Sequence, residues 1–309
     1  LIIARIPEGV RPILKQLKEK FRLKKENAPY FFLAPAVILF AIFTIYPFIR
    51  TFVLSLQVRD GGAYNWTGLR NYIKLFKDPV FLKALRNTFF FLLVQVPIMT
   101  SLAMLIALGL DSALIKFKSL FRVSYITPAV TGLVAYSIVF SLLLNKDFGL
   151  VNYLLSKVGV ESIPWLTKPI WARISIIMAI TWRWTGYNTV IMLSGLQGIP
   201  NTLYEAAEID GGNRLQKFMY ITLPQMKPII LFSLVLSTIG TLRLFSEPYI
   251  LTEGGPSNST LTIAQYLYRT GFRYFKFGYA SAVSYVLIIL TAIFSYFQLK
   301  IGGEEGGGI

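Results

Sequence analysis

An all-α polytopic membrane protein with six transmembrane helices is the fold class this sequence predicts, and three features predict it. Six stretches of the 309-residue chain are apolar over about the 20 residues that a helix needs to cross a bilayer. Only 15% of residues are charged, against roughly 25% in soluble domains, while 54% are hydrophobic. Basic residues outnumber acidic ones 31 to 15, and they lie mainly in the N-terminal arm and between the apolar stretches.

Taken in order, residues 1–28 form a basic arm. Ile13, Leu14, Leu17 and Phe21 recur at helical spacing beside Lys15, Lys18 and Lys20, which predicts an amphipathic helix on a membrane surface. The arm lacks an apolar core ahead of a small-residue cleavage site, so it does not read as a secretory signal. Residues 27–49 are an uncharged first span, and Arg50 at its end has a stem long enough to snorkel. Asn65 to Tyr72 then open a short amphipathic stretch that leads to Asn87-Thr88. The second and third spans, 87–110 and 123–145, carry no charge. The fourth, 174–196, holds one charge, Arg183; the fifth, 228–246, holds one, Arg243, with Glu247 directly after it. The sixth is 277–299, and residues 301–309 are a Gly- and Glu-rich tail expected to be flexible.

Six spans leave both termini on one side. Lys and Arg divide nearly evenly between the two faces, so the eight in residues 1–28 decide, because the first helix usually sets orientation. Both termini are expected in the cytoplasm. The formal charge of +16 is read as membrane-flanking charge, since no compact basic face or recognition motif points to nucleic acid.

The sequence contains neither cysteine nor histidine. That removes thiol nucleophiles, thiolate metal sites, disulfides and the commonest general base. With no paired carboxylates inside a span either, no acid–base set is visible, and the chain does not read as an enzyme. A secondary transporter usually places carboxylates or broken helices at mid-membrane, and no carboxylate lies well inside a span. No repeat of solenoid length is present.

The most informative segment is Glu205 to Pro224, EAAEIDGGNRLQKFMYITLP, between two long apolar stretches. Asn201 is a good N-cap for a helix over 202–210. Gly211-Gly212 stop it, since glycine adopts the left-handed backbone freely. Asn213 can cap a second short helix over 214–220, and Pro224 is suited to the first turn of the fifth span, where no backbone donor is needed. The Ala206-Ala207 pair removes bulk and allows close approach; Leu203, Tyr204 and Phe218 offer apolar contacts.

The spacing of Glu205, Ala206, Ala207, Gly211, Ile221, Leu223 and Pro224 resembles the EAA loop of ATP-binding-cassette importer permeases. The segment from Phe245 to Pro256, with Leu251-Thr252-Glu253-Gly254-Gly255-Pro256 at its end, resembles the carbohydrate-uptake subfamily related to maltose and glycerol-phosphate systems, in the first of two paired permeases. The Gly68-Leu69-x-Asn71-Tyr72 and Asn87-Thr88 patterns agree, and the likeness runs from about residue 30 to residue 300. The resemblance implies a type I importer permease fold in a bacterial or archaeal cell membrane, a permease domain over 29–300, and a coupling loop over 198–224 whose seven motif residues meet the ATPase. It also implies a second homologous permease, a homodimeric ATPase and an extracytoplasmic solute-binding protein as partners. No Walker-type phosphate loop occurs in the sequence, so this chain is expected to bind no cofactor, with ATP and Mg2+ on the separate ATPase.

For the solute, Arg183 lies roughly 15 Å into its span at 1.5 Å per residue and is expected to face protein or water. Trp182, Trp184, Tyr187 and Asn188 surround it in sequence, and aromatic faces beside amides are what a sugar requires. The family builds its solute site near Trp184 and Gly186. Arg243, Phe245 and Glu247 are the matching candidates on the fifth span, with Arg243 and Glu247 expected on one helical face. Tyr136, Ser284 and Tyr285 are weaker candidates, being equally suited to joining helices. The same machine carrying an amino acid or a polyamine is the main alternative within transport.

Overall fold

The structure, a computed structural model, describes residues 28–111 and 118–303. The expected amphipathic arm helix, and the tail from residue 304, lie outside the described residues. Residues up to Val53 form one compact unit and Leu54 onward another.

In the first unit, α1 (Ala28–Phe40) passes through a π-helical turn (Ala41–Ile45) into α2 (Tyr46–Ser55), whose last two residues belong to the second unit. The wide turn has a local cause. Pro47 has no N–H, and its ring crowds the carbonyl four residues back, so the extra residue in the turn absorbs the misfit. Apolar side chains point outward on every face of these helices, which suits a helix surrounded by hydrocarbon.

The second unit begins with a hairpin of β1 (Gln57–Asp60) and β2 (Ala63–Trp66), antiparallel with Gln57 opposite Trp66. Next come α3 (Arg70–Lys77) and α4 (Pro79–Asp111), then α5 (Lys118–Val130), α6 (Leu133–Leu143) and α7 (Leu150–Lys157). The long helix α8 (Pro169–Leu196) leads to the short α9 (Asn201–Ile209) and α10 (Arg214–Lys217). A π-helical turn (Phe218–Thr222) then joins α10 to α11 (Leu223–Leu242). The chain closes with α12 (Ser246–Thr252), α13 (Ile263–Tyr268), a third π-helical turn (Arg269–Arg273) and α14 (Phe277–Gly303).

The central pair is α4 against α8, flanked by α5, α11 and α14. Small residues make the approach possible: Ala84, Ala103, Ala107, Ala172 and Ala179 are fully buried on these two helices. Near the α9–α10 end, Ala103, Met104, Ala107 and Leu110 of α4 pack with Met192, Leu193 and Leu196 of α8 and Met226 of α11. At the other end of α4, Phe81 and Ala84 pack with Leu75, Leu261, Ile263, Tyr266 and the start of α14.

All six expected spans fall on helices, with three corrections. Residues 123–145 are not one rod: α5 and α6 meet at 102°, with Thr131 and Gly132 between them. The fifth helical segment begins at Arg214 rather than at Pro224, because Phe218–Thr222 carries the helix past the proline in the same way as the turn before Pro47. It also ends at Leu242, ahead of the expected Ser246. Among the described residues four helices are apolar and long enough to span, and the bent pair taken as one span makes a fifth. Helix α8 carries the fourth expected stretch on 28 residues of more polar sequence.

The α5–α8 contact turns on one glycine. A Cβ on Gly186 would sit 1.6 Å from the Tyr125 carbonyl oxygen, and that atom is backbone in a membrane helix. Gly186→Val is expected to cost about 3 kcal/mol or more by overpacking and to lower the thermal unfolding midpoint in detergent. Gly109→Ala, with nothing within 4 Å of its added carbon, is expected to leave that midpoint unchanged or slightly raised.

Candidate functional site

Arg183 is buried, and both terminal nitrogens of its guanidinium are engaged. Nη1 donates to the Thr131 carbonyl at 2.7 Å and Nη2 to the Ala129 carbonyl at 3.2 Å. Those carbonyls lie at the break between α5 and α6, where the helix offers them no N–H partner. The same cation lies 4.7 Å from the Tyr136 ring centroid and 5.3 Å from that of Trp184. The structure therefore places Arg183 as a brace for the break. Gly186 is likewise at the α5–α8 contact and does not line the cavity described next.

A cavity of about 260 Å3 lies beside this brace. Gln95 and Met99 of α4, Trp184, Tyr187 and Asn188 of α8, and Ser237 and Thr241 of α11 contribute to its wall, and Arg243, Phe245 and Glu247 close one end. Six of the eight solute candidates thus meet at one cavity, although they come from separate stretches of sequence. Trp184 and Tyr187 present partly exposed rings, edge to face at 6.0 Å. Phe245 stacks on Tyr249 at 5.1 Å with 16° between the rings.

Arg243 and Glu247 are not on one helical face. Arg243 caps the C-terminus of α11 and is exposed, the chain then leaves the helix, and Glu247 sits buried in the first turn of α12. No ion pair joins them among the described residues; Glu247 instead accepts a hydrogen bond from the Tyr136 hydroxyl. Tyr136 is itself buried and stacked against Trp182 at 6.2 Å, so this weaker candidate belongs with the site. Asn188 has a structural task besides lining the cavity: its Oδ1 accepts from Ser233 at 2.5 Å and Ser237 at 3.3 Å on α11. Gln95 was missed in the sequence. It is the one amide inside the uncharged 87–110 stretch beyond Asn87 at its edge, a signal available from sequence alone, and its Oε1 accepts from Thr241 at 3.0 Å.

At the far end of α8 from Pro169, the two short helices α9 and α10 form a helix–turn–helix. Pro200, not Asn201, takes the N-cap position of α9, so the expected Asn201 cap is not formed. Gly211 has φ +76°, a backbone that residues with a Cβ adopt at a cost, and the Gly212 N–H closes on the Ala207 carbonyl at 2.8 Å. Asn213 caps α10 as expected: Gln216 N–H donates to its Oδ1 at 2.9 Å, and Asn213 N–H donates to Gln216 Oε1 at 2.8 Å. Lys217 Nζ donates to Glu208 Oε1 at 2.7 Å, and this bond holds the fully exposed Glu208 carboxyl below its ordinary range. Glu205, Ala206, Gly211 and Pro224 are exposed, while Ala207, Ile221 and Leu223 are half-buried. Tyr204 reaches Thr222 at 2.8 Å between their hydroxyls, tying α9 to the base of α11.

At the opposite end, the remaining motifs prove to be staples. Asn71 Nδ2 donates to the carbonyls of Ser55 and Gln57 at 2.8 and 2.9 Å, and the Tyr72 and Ser55 hydroxyls are 2.8 Å apart. Asn87 donates to the carbonyls of Asn258 and Leu261, and Ile263 N–H donates to Thr88 Oγ1 at 3.0 Å. These bonds hold the Gly-Gly-Pro loop against α4.

Comparison with known proteins agrees with this geometry. Residues 75–300 match the family described as binding-protein-dependent transport system inner membrane component. The chain is 46% identical over 281 residues to the lactose transport system permease protein LacF of Rhizobium radiobacter, covering 89% of this chain and 94% of that protein. It is 37% identical over 289 residues to the arabinooligosaccharides transport system permease protein AraP of Bacillus subtilis, covering 92% and 91%. It is 33% identical over 291 residues to the trehalose/maltose transport system permease protein MalF of Thermococcus litoralis, covering 93% and 97%. Among solved structures, a bacterial ABC transporter involved in alginate import superposes with a TM-score of 0.80 over 95% of this chain and 99% of that one, at 24% identity, a likeness of fold. A multi-pass helical chain matched over residues 75–300, with relatives this close across almost its whole length, belongs to the family of binding-protein-dependent transport inner membrane components and is a transport subunit, not an enzyme.

Proposed function

We propose that the chain is the permease subunit of an ATP-driven importer for a sugar, of oligosaccharide or polyol type, coupled to a separate ATPase through α9 and α10. The cavity carries the solute part of this reading. It joins aromatic faces (Trp184, Tyr187, Phe245) with amides, hydroxyls and one buried carboxylate (Gln95, Asn188, Thr241, Glu247), the mixture that ring faces and hydroxyls call for. Relatives named for lactose, arabinooligosaccharides and trehalose/maltose transport support the same class. At about 260 Å3 the cavity is small beside ordinary ligand pockets of roughly 300–1,000 Å3, which supports a second permease contributing the rest of the wall.

The coupling part rests on exposure and shape. Ile209, Leu215 and Tyr220 project 70% or more of their surface from α9, α10 and the turn that follows, around the Gly211 corner, with Glu205 beside them. A cytoplasmic ATPase homodimer is the partner of that surface, and it binds ATP and Mg2+; an extracytoplasmic binding protein delivers solute to the opposite end. Both termini then lie in the cytoplasm, on the side of α9 and α10.

Trp184→Ala and Glu247→Gln are each expected to weaken direct solute binding by the assembled membrane complex. Losing a stack or a charged hydrogen bond costs about 1–3 kcal/mol, hence roughly 5- to 150-fold in affinity, while basal ATPase activity persists. Parental affinity in both variants would remove these residues from the site. For coupling, Glu205→Lys and Gly211→Val are expected to leave the chain in the membrane yet reduce both ATPase co-purification and uptake, and normal uptake in both would exclude the loop as the dock. Sidedness is directly measurable because the sequence has no cysteine. A cysteine at Ser257 should react with an impermeant external reagent and one at Asn213 should not; the reverse pattern would overturn the orientation.

A further inference from the structure

A second and larger cleft, of about 720 Å3, opens at the hairpin end of the molecule, well away from the solute cavity. Two membrane-spanning helices begin in its wall, with Val80 in the first turn of α4 and Phe277, Gly278 and Tyr279 in the first turn of α14. Phe277 also opens the sixth apolar stretch, and residues at the end of a span sit at the depth of lipid headgroups. Five cations line the cleft, Arg59, Arg70, Lys74, Arg269 and Lys276, against two carboxylates, Asp60 and Asp78.

Asp78 is already engaged. Its Oδ2 accepts from the Tyr266 and Tyr279 hydroxyls at 2.5 and 3.0 Å, and its Oδ1 from the N–H groups of Val80 and Phe81 at 2.8 and 3.4 Å. Burial pushes the Asp78 carboxyl up, but these hydrogen bonds outweigh it and hold the group below its ordinary range. None of these hydrogen bonds to Asp78 comes from a cation. Arg269 is held in place by bonds to Asn258 Oδ1 and the Glu253 carbonyl. The side chains of Arg59 and Arg70 make no hydrogen bond or ion pair among the described residues, and Lys74 only overlies the Tyr279 ring at 5.8 Å.

The rim is apolar. Tyr274 and Phe275 are more than half exposed, and Val58, Val80 and Phe277 continue the wall beside them. The backbone is also held in an unfavourable form here: Phe275 has φ 54° and Asn258 φ 57°, and the Lys276 N–H fixes the turn by donating to the Thr270 carbonyl at 2.9 Å. Left-handed bulky residues persist where surrounding contacts over-determine them, often at ligand clamps.

Unpartnered cations at headgroup depth, bordered by rings and aliphatic chains, fit a ligand with a negative phosphodiester and hydrocarbon tails. We propose that this cleft holds the headgroup of an anionic phospholipid, with Arg59, Arg70 and Lys74 contacting the phosphodiester and the rim against the acyl chains. The assignment is independent of which solute the protein carries.

The test uses the full chain in phosphatidylcholine nanodiscs titrated with phosphatidylglycerol, with retained lipid counted by native mass spectrometry. Replacing Arg59, Arg70 and Lys74 together by Gln is expected to weaken phosphatidylglycerol retention roughly a hundredfold, at about fivefold per surface cation. The variant Lys146→Gln/Lys157→Gln, outside the cleft, should retain lipid as the parent does. If the single change Arg70→Gln, made in case the triple variant misfolds, and the triple variant both keep parental retention, the proposal is wrong. It is also wrong if the control loses lipid equally, or if inorganic phosphate competes as well as the lipid binds, which would make the cleft a site for the free anion. Variants that keep lipid but lose binding-protein-dependent transport would assign the cleft to a protein partner instead.

Discussion

A membrane interior has no water to satisfy a broken helix, and the break between α5 and α6 is where this protein meets that constraint. Carbonyls at Ala129 and Thr131 leave the helical ladder in the middle of the bundle, where each unsatisfied group costs several kcal/mol. Arg183 answers both from α8, and Gly186 one turn further on lets the α5 backbone close onto the same helix. The 102° turn, the position of Tyr136 on α6 and the rings of Trp182 and Trp184 follow from this brace. The cavity lined by Trp184 and Tyr187 lies beside it, and the charge that looks most like a ligand contact in the sequence braces the helices next to that cavity instead.

The extramembrane loops are organised by a parallel device, buried asparagines that answer backbone carbonyls lacking ladder partners. Asn71 fixes the residues before the hairpin and Asn87 the 258–261 loop. Asn152 does the same between α7 and α8, donating to the carbonyls of Lys146 and Ile163 at 3.0 and 2.9 Å and accepting from Trp165 Nε1 at 2.9 Å. An asparagine carries both donors and an acceptor on a short stem, so one residue can close several loop strands at once. Arg173 extends the second staple by reaching the Ser259 carbonyl and Asn87 Oδ1. The loop end is thereby rigid, with a hydrophobic cluster under it.

The two ends of α4 differ in consequence. Toward Asp111 the packing is Met- and Leu-rich and continues into Tyr204, Phe218 and Ile221, tying the base of the short helices to the bundle. The short helices are thereby packed onto the bundle through one continuous apolar cluster. Toward Pro79 the contacts are polar staples over a basic cleft, where the protein meets headgroups rather than hydrocarbon.

Sequence alone determined the six apolar segments, the Gly211 corner, the Asn213 cap and six of the residues that line the cavity. Hydrophobic length and turn chemistry are local properties, and the rule that intramembrane polar groups are functional pointed to the stretch of α8 that lines the cavity. It could not separate the two uses of such a group. Arg183 and Gly186 lie within a few residues of Trp184 and Tyr187, yet helix rotation turns the former pair onto α5 and the latter onto the cavity. Spacing also misled at Arg243 and Glu247, because a four-residue separation shares a face only while the helix continues, and it stops at Leu242. Only the tertiary structure decided the third span's break, the Tyr136–Glu247 bond and the convergence of Gln95, Asn188 and Thr241. Each depends on which backbone groups are left without partners once the helices pack, a quantity that exists only in the assembled fold.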